Sequence, residues 1–176
     1  MKRVIIFGGS GSGKSTLARK IGAATGLPVI HIDPMYYRAG WVPRPKAETR
    51  ALVLEASAQE AWVFDGNHHS TFPQRIARAD HVIFLDLPTW LRMWRVVARA
   101  WDYRGQTRPD MAPDCPERLS MYFLFYWVGG YRWRIRRKDV EQMQSLPPHV
   151  LGAHLKSRRA VARYLAALEK DKGAGG

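Results

Sequence analysis

The stretch that most constrains the fold is GGSGSGKS at residues 8–15, which follows the apolar run VIIF. It matches the pattern G-x-x-x-x-G-K-[ST], in which a glycine-rich loop joins a buried strand to a helix. Leu17, Ile21 and Ala24 continue at helical spacing after the loop. Such a loop predicts that backbone N–H groups and the positive end of the helix face the oxygens of a phosphate. The alternative is a glycine-rich turn that binds no ligand.

Each part of this motif has an expected role in holding a nucleoside triphosphate. Lys14 is expected to reach the β- and γ-phosphates, and the Ser15 hydroxyl is placed to coordinate Mg²⁺ on the first helical turn. The expected cofactors are therefore ATP and Mg²⁺. The predicted nucleotide-binding residues are Gly8, Gly9, Ser10, Gly11, Ser12, Gly13, Lys14, Ser15 and Thr16.

Apolar runs and amphipathic segments alternate along the rest of the chain. After the first helix, LPVIHID, AWVFD, HVIFLD and HVLGAHL have the composition of buried strands. The segments KAETRALVLEASAQE, FPQRIARAD and SRRAVARYLAALEK have helical spacing, with Ser157 as a cap for the last helix. This order predicts a three-layer α/β/α sandwich around a five-stranded parallel sheet. We expect one domain over residues 1–172 and a disordered tail over residues 173–176.

The composition limits the kinds of protein that this chain can be. Its 176 residues are enough for one domain with its own core. Cys115 is the single cysteine, which excludes an internal disulfide and a cysteine-based metal cluster. MKRVIIF does not resemble an export signal, and no apolar stretch approaches the roughly 20 residues of a membrane span. We therefore expect a cytoplasmic protein without a membrane partner. The net charge of +13 favours phosphorylated or polyanionic partners.

Three aspartates end predicted strands: Asp33, Asp65 and Asp86. In an open parallel sheet, ligands bind beyond the carboxyl ends of the strands, so these side chains are expected near Lys14. We interpret Asp65 as a catalytic residue and Mg²⁺ ligand. Asp33 is interpreted as a catalytic residue that accepts the substrate proton or hydrogen-bonds its hydroxyl. Each could instead cap the turn after its strand, and for Asp86 that interpretation is favoured.

A basic insert lies between the fourth and fifth predicted strands, over about residues 89–145. Two helices with the loop YRGQTRPDMAPDCPE between them are expected here. Between residues 88 and 140 there are eleven Lys or Arg and five acidic residues. A lid that carries arginines can neutralise the charge of a transferring phosphoryl group. The predicted catalytic residues of this lid are Arg95, Arg99, Arg104 and Arg108, with a solvated basic face as the alternative.

Aromatic residues cluster in the second half of the insert. Phe123, Tyr126 and Trp127 have i, i+3, i+4 spacing, which favours packing of the insert against the domain. Stacking on a nucleobase and a dimer contact are the alternatives. The whole cluster consists of Tyr122, Phe123, Phe125, Tyr126, Trp127, Tyr131 and Trp133.

Longer motifs resemble the bacterial DNA topology modulation proteins (FlaR type), small P-loop kinases related to adenylate and shikimate kinases. The resemblance rests on GGSGSGKST, PVIHID, WVFDGN, RIARADHVIFLDLP and YRGQTRPDMAPDCPERL, within residues 1–145. It implies a nucleoside-monophosphate-kinase-like fold that binds ATP and Mg²⁺ under an arginine lid. It also implies that Arg75 contacts the phosphate of the substrate. Gly129 and Gly130 depart from the family pattern and are expected to break the second insert helix.

These features favour an ATP-dependent phosphotransferase that moves the γ-phosphoryl group to a small acceptor, with a nucleoside or nucleotide as the expected class. A nucleic-acid-associated ATPase or regulator affecting DNA topology is the alternative, with nonspecific nucleic-acid binding through the basic insert. A nucleotide-binding protein without turnover is a third interpretation. Both a monomer and a homodimer fit the sequence. The predicted substrate-binding residues are Asp33, Tyr37, Trp41, Asn67 and Arg75.

Overall fold

The structure is a computed structural model that describes the backbone of residues 1–173 and the side chains of residues 1–170. Within these residues, seven strands form two sheets. The large sheet has the order β2-β5-β1-β6-β7 and is parallel throughout, which confirms the five-stranded parallel sheet predicted from the sequence. The strands are β1 (Arg3–Gly8), β2 (Val29–His31), β3 (Tyr37–Arg38), β4 (Val42–Pro43), β5 (Trp62–Asp65), β6 (His81–Leu85) and β7 (Leu151–Leu155).

Helices connect the strands and cover both faces of the sheet. None in the described part of the chain is both long and apolar enough to cross a bilayer. The last helix includes Gly173, the first residue of the segment predicted to be disordered, and residues 174–176 lie outside the described residues. The helices are α1 (Lys14–Thr25), α2 (Asp33–Tyr36), α3 (Lys46–Ser57), α4 (Phe72–Arg78), α5 (Thr89–Asp102), α6 (Tyr131–Arg134), α7 (Arg136–Gln144) and α8 (Arg158–Gly173).

Alternation along the central strand β1 divides the core into two layers. Val4 and Ile6 pack with residues of α1 and α8 on one face of the sheet. Ile5 and Phe7 pack with residues of α3, α4 and α7 on the other face. All four side chains are fully buried, and burial of such side chains stabilises the fold by about 1.5–3 kcal/mol each. The three-layer α/β/α arrangement is therefore confirmed.

Local sequence signals set the ends of two helices. α1 ends at Gly26, which has a φ of 77° and donates its N–H to the Gly22 carbonyl oxygen at 2.8 Å. Glycine adopts this left-handed conformation without strain. At the start of α8, the Ser157 hydroxyl oxygen accepts the Ala160 N–H at 3.1 Å. The predicted cap of the last helix is confirmed.

The basic insert contains more breaks than the two predicted helices. α5 corresponds to the first of them, whereas the second is split into a π-helical segment (Phe123–Gly129), α6 and α7. The Gly130 N–H donates to the Phe125 carbonyl oxygen, five residues back, at 3.0 Å. A Cβ at Gly130 would lie 2.5 Å from the Tyr126 carbonyl oxygen, so this wide turn needs a glycine there. The prediction of two insert helices is therefore wrong, and the break falls at the glycine pair that predicts one.

Candidate active site

The glycine-rich loop lies between β1 and α1. Gly8, Gly11 and Gly13 have φ values of 137°, 77° and 93°, conformations that favour glycine. α1 begins at Lys14 directly after the loop, so the positive end of its dipole lies there too. The Lys14 Nζ donates to the Gly9 carbonyl oxygen at 3.4 Å. The loop, the helix end and the lysine therefore meet at one point, as the motif predicts.

Asp33 and Asp65 lie near Lys14 at the carboxyl end of the sheet. Asp65 is the last residue of β5, and Asp33 follows the neighbouring strand β2 as the first residue of α2. Desolvation lowers the pKa of Lys14 and outweighs the opposite effect of the two carboxylates. Desolvation also raises the pKa of Asp33, and the nearby Asp65 carboxylate raises it further. The three side chains thus form one interacting charged cluster.

The Asp65 carboxylate is held in one orientation by one of its oxygens, and its other oxygen has no hydrogen-bond partner among the described residues. Its side chain is 7% exposed, and Oδ2 lies 2.7 Å from His31 Nδ1. Within the described residues, the buried Oδ1 has no hydrogen-bond partner, although buried carboxylate oxygens are normally paired. This oxygen and the Ser15 hydroxyl are the type of donor that Mg²⁺ prefers. The side chains present therefore fit a Mg²⁺ ion that Ser15 and Asp65 would hold.

Asp86 makes structural contacts instead of joining this cluster. Its two oxygens accept hydrogen bonds from the Arg136 guanidinium at 2.8 Å each, and His154 Nε2 lies 2.9 Å from Oδ2. Desolvation raises the pKa of Asp86, but the hydrogen bonds from Arg136 and His154 lower it more. Asp86 therefore ties α7 and β7 to the end of β6, a larger role than the turn cap expected from the sequence.

Two of the predicted lid arginines differ in their distance from the phosphate loop. The Arg95 Nη1 donates to the Ser12 carbonyl oxygen at 3.1 Å, which places its guanidinium against the loop. The Arg104 side chain is exposed and lines a groove on the outside of the insert with Trp101 and Arg118. Arg95 is therefore placed for the predicted role, whereas Arg104 would have to move toward the loop to take part.

Arg99 and Arg108 share one buried carboxylate. They lie 3.0 Å and 2.6 Å from the oxygens of Glu117, which is 7% exposed. The charge of Arg99 lowers the pKa of Lys14, and that of Arg108 lowers the pKa of Asp33. Both predicted arginines therefore lie close to the charged cluster, and Glu117, which sequence reasoning missed, holds them there.

Arg92 is a second residue that sequence reasoning missed. It is 1% exposed, and its Nη1 donates to the Ser10 carbonyl oxygen at 3.4 Å. A Cβ at Gly9 would lie 2.1 Å from the same nitrogen, and the guanidinium lies 4.6 Å from the centre of the Tyr131 ring. The sequence contains a pattern that could have identified Arg92, because it precedes Arg95 by three residues and therefore shares a helical face with it.

Tyr37 and Trp41 dock the segment 103–120, which we call the lid loop. The Trp41 N–H donates to the Cys115 Sγ, and Nε1 donates to the Pro116 carbonyl oxygen, each at 3.1 Å. The Tyr37 and Trp41 rings meet edge to face, and both pack on the buried cluster around Cys115. Their predicted contact with the substrate is untested, and the contacts seen are with the lid loop.

Arg75 is fully buried, in contrast to the expectation that it contacts the substrate phosphate. Desolvation lowers its pKa to about 9, and its guanidinium lies 4.6 Å from the centre of the Phe72 ring. As placed here, it supports the segment after β5 and does not line an open surface. Its nitrogens donate, at 3.1–3.4 Å, to the Thr71 hydroxyl and to the carbonyl oxygens of Gly66, Asn67 and His68.

Asn67 contacts the phosphate loop. Its Oδ1 accepts the Gly8 N–H at 2.9 Å, at the residue where β1 ends and the loop begins. The structure therefore gives Asn67 a role in holding the loop, and its predicted contact with the substrate remains a prediction.

The aromatic cluster of the insert is mainly exposed. Leu124 and Val128 bury the π-helical segment against Val96 of α5, and Phe123 packs against this cluster as predicted. Tyr126 and Trp127 are 42% and 44% exposed. The packing predicted for these two aromatics is wrong, because the wider π turn changes which residues share the buried face. Further exposed apolar residues on the insert are Trp90, Trp94, Val97, Trp101, Leu119, Met121, Tyr122, Phe125 and Trp133.

Comparison with known proteins gives likeness of fold. No protein-family model and no curated protein matches the chain. A shikimate kinase from Acinetobacter baumannii in complex with shikimate has a TM-score of 0.60 and 14% identity, covering 99% of this chain and 94% of that chain. A gluconokinase from Sinorhizobium meliloti 1021 has a TM-score of 0.52 and 17% identity, with coverage of 97% and 94%. A sugar kinase from Janibacter sp. HTCC2649 has a TM-score of 0.51 and 16% identity, with coverage of 100% and 99%. The predicted P-loop, nucleoside-monophosphate-kinase-like fold is confirmed.

Proposed function

We propose that this protein transfers the γ-phosphoryl group of ATP to a hydroxyl group of a small acceptor. The observation that carries the proposal is the convergence of Lys14, Asp33 and Asp65 beside the phosphate loop. A turn that only ends a strand does not require a desolvated lysine beside two carboxylates. The fold shared with shikimate, gluconate and sugar kinases supports the same class of reaction.

The residues of the site divide the work of phosphoryl transfer. The phosphate loop and Lys14 bind the β- and γ-phosphates and neutralise part of their charge. Asp33, which is exposed to solvent beside the cluster, accepts the proton of the acceptor hydroxyl, and desolvation and the Asp65 carboxylate raise its pKa. Mg²⁺, which Ser15 and Asp65 would hold, supplies further screening of the triphosphate charge.

The lid arginines stabilise the charge that spreads over the phosphoryl oxygens during transfer. Arg95 contacts the phosphate loop directly. Arg99 and Arg108 are held by Glu117, so their guanidinium groups lose less side-chain entropy when the phosphates bind. We assign Arg95, Arg99 and Arg108 to this role and leave Arg104 as a residue of the outer lid surface.

We propose a general chemical requirement for the acceptor and a more specific class of molecule. A small molecule with a free hydroxyl fits the base Asp33, and a nucleoside or nucleotide is the class that the sequence favours. Arg75, which the sequence predicts to bind a substrate phosphate, is buried as placed here, and this placement favours an acceptor without a phosphate group. The names of the structural relatives add hydroxy acids and sugars as candidates to be tested beside nucleosides.

The test is ADP release from Mg·ATP across nucleosides, nucleoside monophosphates, hydroxy acids and sugars. One acceptor class should raise turnover, and Lys14→Ala should lower that turnover by about a hundredfold or more. Lys20→Ala changes an exposed lysine on the same helix and should leave the rate unchanged. Full turnover in the Lys14 variant, or no response to any acceptor, would contradict the proposal.

A second candidate function is that of a nucleic-acid-associated ATPase or regulator. It is favoured by exposed aromatic rings beside exposed cations on the insert, such as Trp133 next to Arg132 and Arg134. Such a surface can stack on bases and neutralise phosphates. This candidate predicts that DNA or RNA, and no small acceptor, stimulates ATP hydrolysis.

A further inference from the structure

A carboxylate of the lid loop lies near the phosphate loop. Asp110 lies in the middle of the lid loop, yet it is only 7% exposed. Three potential metal-ligand atoms lie within 4.8 Å of one another, one from each of His31, Asp65 and Asp110. The Ser15 hydroxyl lies near the Asp110 carboxylate and, after the larger effects of desolvation and Arg108, contributes to lowering its pKa. A lid carboxylate therefore lies at the point where the phosphate loop and β5 offer their own oxygen donors.

The free oxygen of Asp65 is an independent sign of a ligand at this point. His31 engages Oδ2 at 2.7 Å, so the imidazole orients the carboxylate and leaves Oδ1 buried without a partner among the described residues. The carboxylates of Asp65 and Asp110 lie together here, and the Arg108 Nη1, 3.4 Å from Asp110 Oδ2, offsets only part of their charge. A bound cation would satisfy the free oxygen and offset this negative charge.

We propose that Asp110 is a ligand of the divalent cation at this site, together with Asp65 Oδ1 and the Ser15 hydroxyl. The inference rests on the proposed function and adds a ligand supplied by the lid. All three donors are oxygens, which suits Mg²⁺ and Mn²⁺. His31 is a positioning residue, because it fixes the Asp65 carboxylate through a hydrogen bond, as outer partners of metal ligands commonly do.

A ligand on the lid loop links cation binding to the position of the lid. Without a cation, the lid loop is held to the rest of the protein by contacts such as those of Trp41 with Cys115 and Pro116. A cation bound by Ser15, Asp65 and Asp110 would join the lid loop to the phosphate loop directly. Because it binds only where the three donors meet, it would shift the lid toward the closed arrangement.

The first test measures Mn²⁺ affinity without nucleotide, from the electron paramagnetic resonance signal of free Mn²⁺. Asp110→Asn should weaken binding about tenfold or more, since even outer-shell changes at metal sites cost that much. Asp114→Asn is the matched control: it removes one charge from an exposed lid position, with a φ of 51° that asparagine tolerates. The control should keep the wild-type affinity, and Asp110→Glu should recover part of it.

A second readout separates a ligand from a residue that only stabilises the lid. Hydrogen exchange of lid-loop peptides should slow on addition of Mn²⁺ in the wild type and in Asp114→Asn. The same peptides should not respond to Mn²⁺ in Asp110→Asn. A purely structural role of Asp110 would speed exchange in that variant by the same factor with and without the ion.

Unchanged or tighter Mn²⁺ binding by Asp110→Asn overturns the proposal, as does a wild-type protein that binds no Mn²⁺. Tighter binding would mean that Asp110 competes with the cation for Ser15. Phosphoryl transfer on the same samples keeps the two proposals apart. If turnover persists while the Mn²⁺ affinities are equal, only the role of Asp110 fails. If the affinities differ as expected and no acceptor is phosphorylated, only the proposed function fails.

Discussion

At the scale of single residues, Asp33 controls the pH dependence expected of the reaction. Its pKa lies above the ordinary value of 3.8, first through desolvation and then through the Asp65 carboxylate. The base must be deprotonated, so kcat/KM should fall as the pH drops through this raised pKa. A profile from about pH 4 to pH 9 should show the acid limb above the ordinary value. An unchanged limb in Asp33→Asn would exclude Asp33 as the base.

Asn67 allows a prediction that separates its structural role from a substrate contact. Its Oδ1 accepts the Gly8 N–H at the start of the phosphate loop. Loss of one such hydrogen bond costs about 0.5–1.5 kcal/mol, so Asn67→Ala should raise the KM for ATP about twofold to tenfold. The KM for the acceptor should stay near its wild-type value. A rise confined to the acceptor KM would restore the role that the sequence predicts.

Residue types predicted the chemistry of the site better than they predicted its contacts. Lys14 and Asp65 are placed by local order, because Lys14 begins the helix after the phosphate loop and Asp65 ends a central strand. The burial of Arg75 was not predicted, since it depends on the fold of the segment between β5 and α4. Asp110 was missed for a similar reason. Its approach to Ser15 depends on how an irregular loop folds over distant strands, and no local pattern encodes that.

At the scale of elements, the Asp86 ion pair joins the base of the insert to the sheet. Asp86→Asn removes the negative charge of the carboxylate that is hydrogen-bonded to Arg136 and His154. It should lower the free energy of unfolding by about 1–3 kcal/mol. The folded pKa of Asp86 is lowered, so this stabilisation is present above the unfolded value of 3.8 and is lost as the pH falls through the folded pKa. Urea unfolding should therefore show a larger difference at about pH 7 than at about pH 3.

Asp102→Asn is the matched control for this ion pair, because it neutralises an exposed aspartate at the end of α5. It should change stability little at either pH. An Asp86 variant that loses as much stability in acid as at neutral pH would show that the effect does not come from the ionised pair.

The sheet was more predictable than the insert because its strands carry two kinds of signal. The strands of the central part are short apolar runs buried on both faces, and each is followed by a segment with helical spacing. In the insert, the spacing of Phe123, Tyr126 and Trp127 was taken as an α-helical face. The π-helical segment has a wider turn, so Leu124 and Val128 form the buried face, Phe123 packs at its edge, and Tyr126 and Trp127 are exposed.

At the scale of the whole molecule, the exposed residues of the insert are more basic than the insert as a whole. Of its five acidic residues between positions 88 and 140, Asp110, Glu117 and Asp139 are buried, whereas Asp102 and Asp114 are exposed. The buried acids partly offset inward cations, such as those paired with Glu117. The cations left on the surface therefore meet few surface acids, and exposed tryptophans lie among them.

This surface predicts weak, salt-sensitive binding of nucleic acid that does not alter catalysis. The affinity for a short single-stranded oligonucleotide, measured by fluorescence anisotropy, should fall about tenfold or more between 50 and 200 mM salt, as a few phosphate contacts require. Trp133→Ala should weaken it about fivefold or more through lost stacking, whereas Trp133→Tyr keeps an aromatic ring and most of the affinity. The phosphotransferase proposal requires that the oligonucleotide leave ATP turnover unchanged. Stimulation that disappears in Trp133→Ala would instead make the insert a nucleic-acid sensor for the ATP site, because the Trp133 side chain is 78% exposed and can act only through what it binds.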